Sequence, residues 1–112
     1  MKLKKKDLLK AGYKEFSDDR DRYKKLYQKF IKDEQGKRFA LNFYYYDFSM
    51  PPREFKGFTA KAQFSEVMIG KMMSFANIEL DATDLKIDDV EKYFNALWVA
   101  SGKPYYERWD EQ

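Results

Sequence analysis

Apolar and polar residues alternate along the middle of the chain in a way that predicts β-strands. Within the run 37–49, every second residue from 39 to 45 is large and apolar, and the cleanest alternation lies in the run 58–65. Successive side chains of a strand point to opposite faces, so such runs are typical of half-buried antiparallel strands. The run 23–32, rich in Tyr, Phe, Leu and Ile, and the run 72–80, with Ala76, Ile78 and Leu80 on one face, bring the number of predicted strands to four. The face expected to be buried comprises Phe39, Leu41, Phe43, Tyr45, Phe58, Ala60, Ala62 and Phe64.

Turn-forming residues indicate where these strands end. The segment 33–36 contains Asp33 and Gly36, and a short loop of this kind between two β-prone runs predicts a hairpin. The pair Pro51 and Pro52 predicts a loop over 49–54, because proline cannot donate a hydrogen bond to a strand ladder. The charged run 17–22 has no apolar residue and predicts a solvated loop.

Two helices are predicted at the ends of the chain. Over 87–101, apolar residues recur at helical spacing, and Gly102 follows as a stop signal. The apolar stripe is Ile87, Val90, Phe94, Leu97 and Trp98. Of these residues, Val90, Phe94, Leu97 and Trp98 are expected to be buried against the sheet. Near the N-terminus, a short helix is predicted over 7–11, with Asp7 near its start and Gly12 ending it. The predicted fold is therefore α+β in a single domain of residues 1–112. It is a four-stranded antiparallel sheet with the amphipathic C-terminal helix on one face and a short N-terminal helix.

Composition narrows the chemistry open to this chain. It has no cysteine and no histidine, so disulfides, thiolate metal sites and histidine-based acid–base catalysis are excluded. No phosphate-binding glycine loop or nucleophile-elbow motif is present, and we expect no enzyme activity, no catalytic residue and no cofactor. The longest apolar runs are too short to span a membrane, and no secretory signal is recognisable. We expect a cytoplasmic protein without a membrane partner.

Charge is unevenly distributed along the chain. Residues 1–38 carry 14 Lys/Arg and 7 Asp/Glu, whereas residues 79–112 carry 4 and 9. Such a gradient is compatible with mutual attraction of the two ends, with simple solvation, or with binding of an anionic partner. For single-stranded nucleic acid, an alternative function, the candidate phosphate-contacting residues are Lys4, Lys5, Lys6, Lys24 and Lys25.

Aromatic residues are more numerous than one small core needs. The chain has 10 Phe, 9 Tyr and 2 Trp, and tyrosine and tryptophan are favoured as anchors of protein interfaces. If one sheet face is covered by the C-terminal helix, Tyr44 and Tyr46 lie on the other, together with Phe75 and Tyr27. The candidate partner-binding residues are Tyr44, Tyr46, Phe75, Tyr105, Tyr106 and Trp109. A host protein or complex and a second copy of the chain are both partners that such a surface fits.

A cluster of carboxylates offers a third function, metal-dependent hydrolysis. The cluster comprises Glu79, Asp81, Asp84, Asp88 and Asp89. Its spacing does not match an EF-hand loop. Local structural roles explain most of the cluster and are favoured over metal binding: Asp84 as a helix cap, Asp88 and Asp89 as charges favoured by the helix dipole, and Glu79 on an open strand face. No metal ligand is therefore assigned.

Several segments together resemble small accessory proteins of phage and prophage genomes. They are Asp7–Phe16, Leu26–Lys29, Asp47–Ser49, Tyr93–Trp98 and Tyr105–Glu107. The resemblance covers most of the chain but includes no motif for chemistry, so it assigns no catalytic residue. It implies a non-enzymatic accessory protein in the cytoplasm of a bacterial host. Such a protein would bind a host macromolecule stoichiometrically, for example a component of host defence that it inhibits.

Overall fold

A computed structural model describes residues 2–17, 24–50, 53–63 and 79–103. The described elements form an α+β fold with one antiparallel sheet, which one helix precedes and another follows in the chain. In chain order they are helix α1 (Lys5–Lys10), strands β1 (Lys14–Ser17), β2 (Lys24–Lys32), β3 (Arg38–Met50), β4 (Arg53–Gln63) and β5 (Glu79–Asp81), and helix α2 (Ile87–Ala100). No helix among these is long and apolar enough to cross a membrane.

The sheet has five strands in the order β1-β2-β3-β4-β5, one more than the sequence predicts. The additional strand, β1, has only four residues, too few for its alternation to stand out. The predicted loop 49–54 is also wrong in extent, because Met50 pairs with Arg53 and the strands continue almost to the prolines. Of the predicted run 72–80, only its end is described, as part of β5; the rest of that run lies outside the described residues.

The predicted hairpin between the first two long strands is confirmed, and its turn has a clear local cause. One carboxylate oxygen of Asp33 accepts hydrogen bonds from the backbone N–H groups of Gln35 and Lys37, each at 2.9 Å. Gly36 has a φ of +87°, a conformation that side chains disfavour. These features set the β2–β3 register, in which Leu41 lies opposite Lys29.

Helix α2 packs against the sheet face that the alternation predicts. Val90, Phe94 and Trp98 are buried, and the Trp98 ring lies 5.0 Å from that of Phe39 between centroids. Leu97, however, is only half-buried, so its predicted full burial is wrong. It borders the stripe rather than lying at its centre. Phe64, expected in the same core, lies outside the described residues.

Helix α1 lies on this same side of the sheet. The Tyr13 ring, just after α1, meets that of Phe43 edge-on at 5.2 Å, and Leu8 is fully buried. The Ala11 carbonyl accepts a 3.0 Å hydrogen bond from the Lys29 ammonium. Phe43 and Lys29 both belong to the face that α2 covers. The opposite face of the sheet therefore carries neither helix.

The signals predicted at the helix ends are present except at one position, although α1 begins at Lys5, two residues earlier than predicted. Asp7 accepts a hydrogen bond from the backbone N–H of Lys4 at 3.0 Å, and Asp88 and Asp89 occupy the first turn of α2. Gly102 ends α2 with a φ of +83°. Asp84 does not cap this helix as predicted, because the position before the first turn is occupied by Lys86.

Candidate binding surface

We define the open face as the side of the sheet opposite α1 and α2. Strand register assigns residues to it directly, since residues paired across strands share a face. One transverse row runs from Phe16 through Leu26, Tyr44 and Thr59 to Asp81. The next row runs Lys14, Gln28, Asn42, Lys61 and Glu79. The open face thus combines an aromatic centre with charged margins.

Tyr44 and Tyr46 form the centre of the open face, as the alternation predicts. Their rings stack with centroids 6.2 Å apart and planes inclined by 29°. Phe55 meets the Tyr46 ring edge-on at 6.4 Å. The two tyrosines and Phe55 are each half-buried. Each tyrosine therefore has part of its surface exposed to solvent and part in contact with a neighbouring ring.

Polar contacts hold Tyr44 in place from the side. Gln28 Nε2 donates to Asn42 Oδ1 at 2.8 Å, and Asn42 Nδ2 donates to the Tyr44 hydroxyl at 3.4 Å. Asn42 is the one buried polar residue in the described part of the chain. Leaving a buried amide without hydrogen-bond partners costs free energy, so the two contacts of Asn42 favour the observed register of the strands. The aromatic centre is therefore built on an ordered part of the sheet.

Phe16 on the edge strand β1 extends the aromatic centre. Half of its surface is exposed, the largest exposed fraction among the large apolar residues described. It lies opposite Leu26, which in turn lies opposite Tyr44. The sequence prediction missed Phe16 because β1 was not recognised. Tyr13 is buried and Phe16, three residues later, is exposed. This alternation covers too few residues to reveal a strand in the sequence.

The lysines predicted to contact nucleic acid do not form one surface. Lys5 and Lys25 both approach Glu15 on the helix side of the sheet, at 3.4 and 4.0 Å. Lys4 is the residue before the first turn of α1 and Lys6 lies within α1, on that same side. Lys24 pairs with Tyr46 in the register and is therefore at a position of the open face. Tyr27 is also buried on the helix side, so its predicted place on the open face is wrong.

The Glu15 carboxylate is the centre of a small network that joins α1 to the sheet. It accepts a 2.9 Å hydrogen bond from the Tyr27 hydroxyl, and this bond, followed by Lys5 and Lys25, lowers the pKa of Glu15. Burial and the same carboxylate raise the pKa of Tyr27. The network is structural and lies away from the open face.

The lowered pKa of Glu15 predicts a pH dependence of stability. Its stabilising contribution is present above its ordinary pKa of 4.5 and is lost as the pH falls through the lower value of the folded state. Glu15→Gln should therefore lower the free energy of unfolding at neutral pH by about 0.5–1.5 kcal/mol. The difference should vanish in acid. Urea unfolding of both proteins at each pH measures it, and a difference independent of pH would contradict this assignment.

The predicted acidic cluster does not come together as a metal site. Glu79 accepts a 2.7 Å hydrogen bond from Thr59, and Asp81 accepts one from the backbone of Thr83 at 3.0 Å. Within the described ranges, no three carboxylates converge on one point. Glu79 and Asp81 instead mark the β5 margin of the open face, and Asp88 and Asp89 lie in the first turn of α2.

Other residues predicted to bind a partner lie outside the described residues; they are Phe75, Tyr105, Tyr106 and Trp109. The surface is therefore built here from Phe16, Leu26, Tyr44, Tyr46 and Phe55. Comparison of the chain with protein-family models, curated proteins and solved structures finds no match.

Proposed function

We propose that this protein is a non-enzymatic binding protein that engages a macromolecular partner stoichiometrically through its open face. The observation that carries the proposal is the stacked, half-buried pair Tyr44 and Tyr46, on a sheet face that carries neither helix. Together with half-exposed Phe16 it forms an apolar centre with charged margins. That arrangement of an aromatic centre and a polar rim is typical of protein interfaces.

The nature of the partner follows from the resemblance to phage and prophage accessory proteins. It favours a protein of the bacterial host, and a host-defence component is the class that such an accessory protein would inhibit. The chain lacks histidine and cysteine. A surface of this kind suits a protein that binds its partner in a fixed ratio and does not turn it over.

The test is the double variant Tyr44→Ser/Tyr46→Ser. Removing two half-buried rings should destabilise the protein by about 1–3 kcal/mol while leaving it folded. It should abolish capture of a partner by the immobilised full-length protein from bacterial lysate, with captured proteins identified by mass spectrometry. The partner, once purified, should bind the original protein in a fixed ratio by calorimetry.

The matched control is Tyr93→Ser/Val99→Ser on the exposed side of α2. These side chains are 44% and 49% exposed and lie away from the open face. The control should retain whatever the original protein captures. If Tyr44→Ser/Tyr46→Ser still captured the partner, the proposal would be rejected. It would also be rejected if circular dichroism showed that this variant is unfolded, because the tyrosines would then be core residues.

A further inference from the structure

Basic residues surround the aromatic centre of the open face, whereas acidic ones are excluded from most of it. By strand register, the basic residues at positions of this face are Lys14, Lys24, Lys32, Arg38, Arg53 and Lys61. At the described positions of this face in β1–β4, no Asp or Glu occurs. By register, the acidic residues of these strands, Glu15, Asp47 and Glu54, are at positions of the helix side. Acidic residues of the open face, Glu79 and Asp81, are confined to the marginal strand β5.

The lysines of the two faces also differ in their partners. On the helix side, Lys5 and Lys25 approach Glu15, and Lys29 approaches Glu91 at 3.5 Å. Three of the open-face lysines, Lys14, Lys32 and Lys61, form no ion pair with any residue that the structure describes. Lys61 lies opposite Glu79 in the register, whereas Lys14 and Lys32 face no carboxylate across the strands. Cations that outnumber the carboxylates around an apolar centre produce a positive potential there.

Two further contacts indicate where an anionic group would be favoured. Arg38 stacks on the Phe30 ring, with its guanidinium carbon 4.3 Å from the ring centroid. Lys32 lies directly opposite Arg38 in the register, so two cations share one end of the open face. These two positive charges add to the positive potential at that end of the face.

We infer that the partner of the open face is a protein segment rich in carboxylates around an apolar centre. This inference rests on the proposed function and specifies the chemistry of the partner. Nucleic acid is less well matched, since the Tyr44 and Tyr46 rings stack on each other and Phe55 closes against Tyr46. Bases stack on ring faces that are available to them. Carboxylates of a partner, in contrast, would bind to the cations at the rim and do not require an available ring face.

The test compares two triple variants with equal changes of net charge. In the open-face variant, Lys14, Lys32 and Lys61 are each replaced by Glu. In the control, Lys2, Lys6 and Lys10, exposed residues of the N-terminal segment on the other side of the sheet, are each replaced by Glu. The probes are fluorescein-labelled peptides of alternating Glu and Tyr, or of alternating Lys and Tyr, and a single-stranded oligothymidylate. Binding is measured by fluorescence anisotropy at several salt concentrations.

The original protein should bind the Glu–Tyr peptide, more weakly as salt rises, and should not bind the Lys–Tyr peptide. The open-face variant should bind the Glu–Tyr peptide about tenfold more weakly, and the control should be nearly unchanged. Equal weakening in both variants, or no binding of the Glu–Tyr peptide, would overturn the inference. So would tighter binding of the oligothymidylate, or sedimentation showing that the face joins two copies of the chain.

Failure of this inference is distinguishable from failure of the proposed function. If the open-face lysine variant still captures the same host protein while Tyr44→Ser/Tyr46→Ser does not, the surface is correct and the acidic partner is wrong. If the tyrosine variant also retains capture, the surface itself is wrong.

Discussion

Replacing Trp98 with alanine is expected to destabilise the protein by about 3–5 kcal/mol, a large part of the stability of a domain of this size. The indole is fully buried and packs against Phe39, and the Lys103 ammonium lies 5.6 Å from its ring centroid. Its removal leaves a cavity between α2 and the sheet. Urea unfolding followed by far-ultraviolet circular dichroism measures the change.

Two neighbouring positions on α2 provide the controls. Val99→Ala should change the free energy of unfolding by less than about 0.5 kcal/mol, because Val99 is 49% exposed. Leu97→Ala, at a half-buried position, should cost about 1–2 kcal/mol, below the range for fully buried leucines. If Trp98→Ala cost no more than Val99→Ala, the packing of α2 on the sheet described here would be incorrect.

Replacing Gly57 with alanine is expected to destabilise the protein by about 1–3 kcal/mol through overpacking. A Cβ atom at Gly57 would overlap the Thr83 hydroxyl and lie 3.1 Å from its methyl group. Thr83 cannot easily turn away, because its hydroxyl accepts from the Phe58 backbone N–H at 3.1 Å and donates to the Phe58 carbonyl at 3.3 Å. Thermal and urea unfolding measure the loss.

A double-mutant cycle separates this overlap from other effects of losing a glycine. Thr83→Ala alone should be destabilising, because it removes both hydrogen bonds to Phe58. It also removes the two atoms nearest to the added methyl group. The double variant should therefore lose less stability than the two single losses together. Strict additivity would show that the contact with Thr83 is not the cause.

The extent to which the alternation predicted the open face depends on strand length. In β3, thirteen residues carry the alternation, and both the buried set from Phe39 and the open pair Tyr44 and Tyr46 are placed correctly. In β2, Tyr27 was assigned to the wrong face. The position of its strand relative to β3 depends on the turn at Asp33, and one residue of shift exchanges the two faces.

Local sequence determined the types and most of the limits of the main elements. The alternation in β3 and β4, the Asp33–Gly36 turn and the apolar stripe of α2 act over a few neighbouring residues, and each is read from the chain directly. Only the tertiary structure decided that α1 joins α2 on one side of the sheet, that β1 adds Phe16 to the other, and that lysines close in sequence separate. Lys24 takes its place opposite Tyr46, while Lys25 approaches Glu15 on the helix side. Contacts between distant segments make these choices, and local periodicity has no information about which segment covers which face.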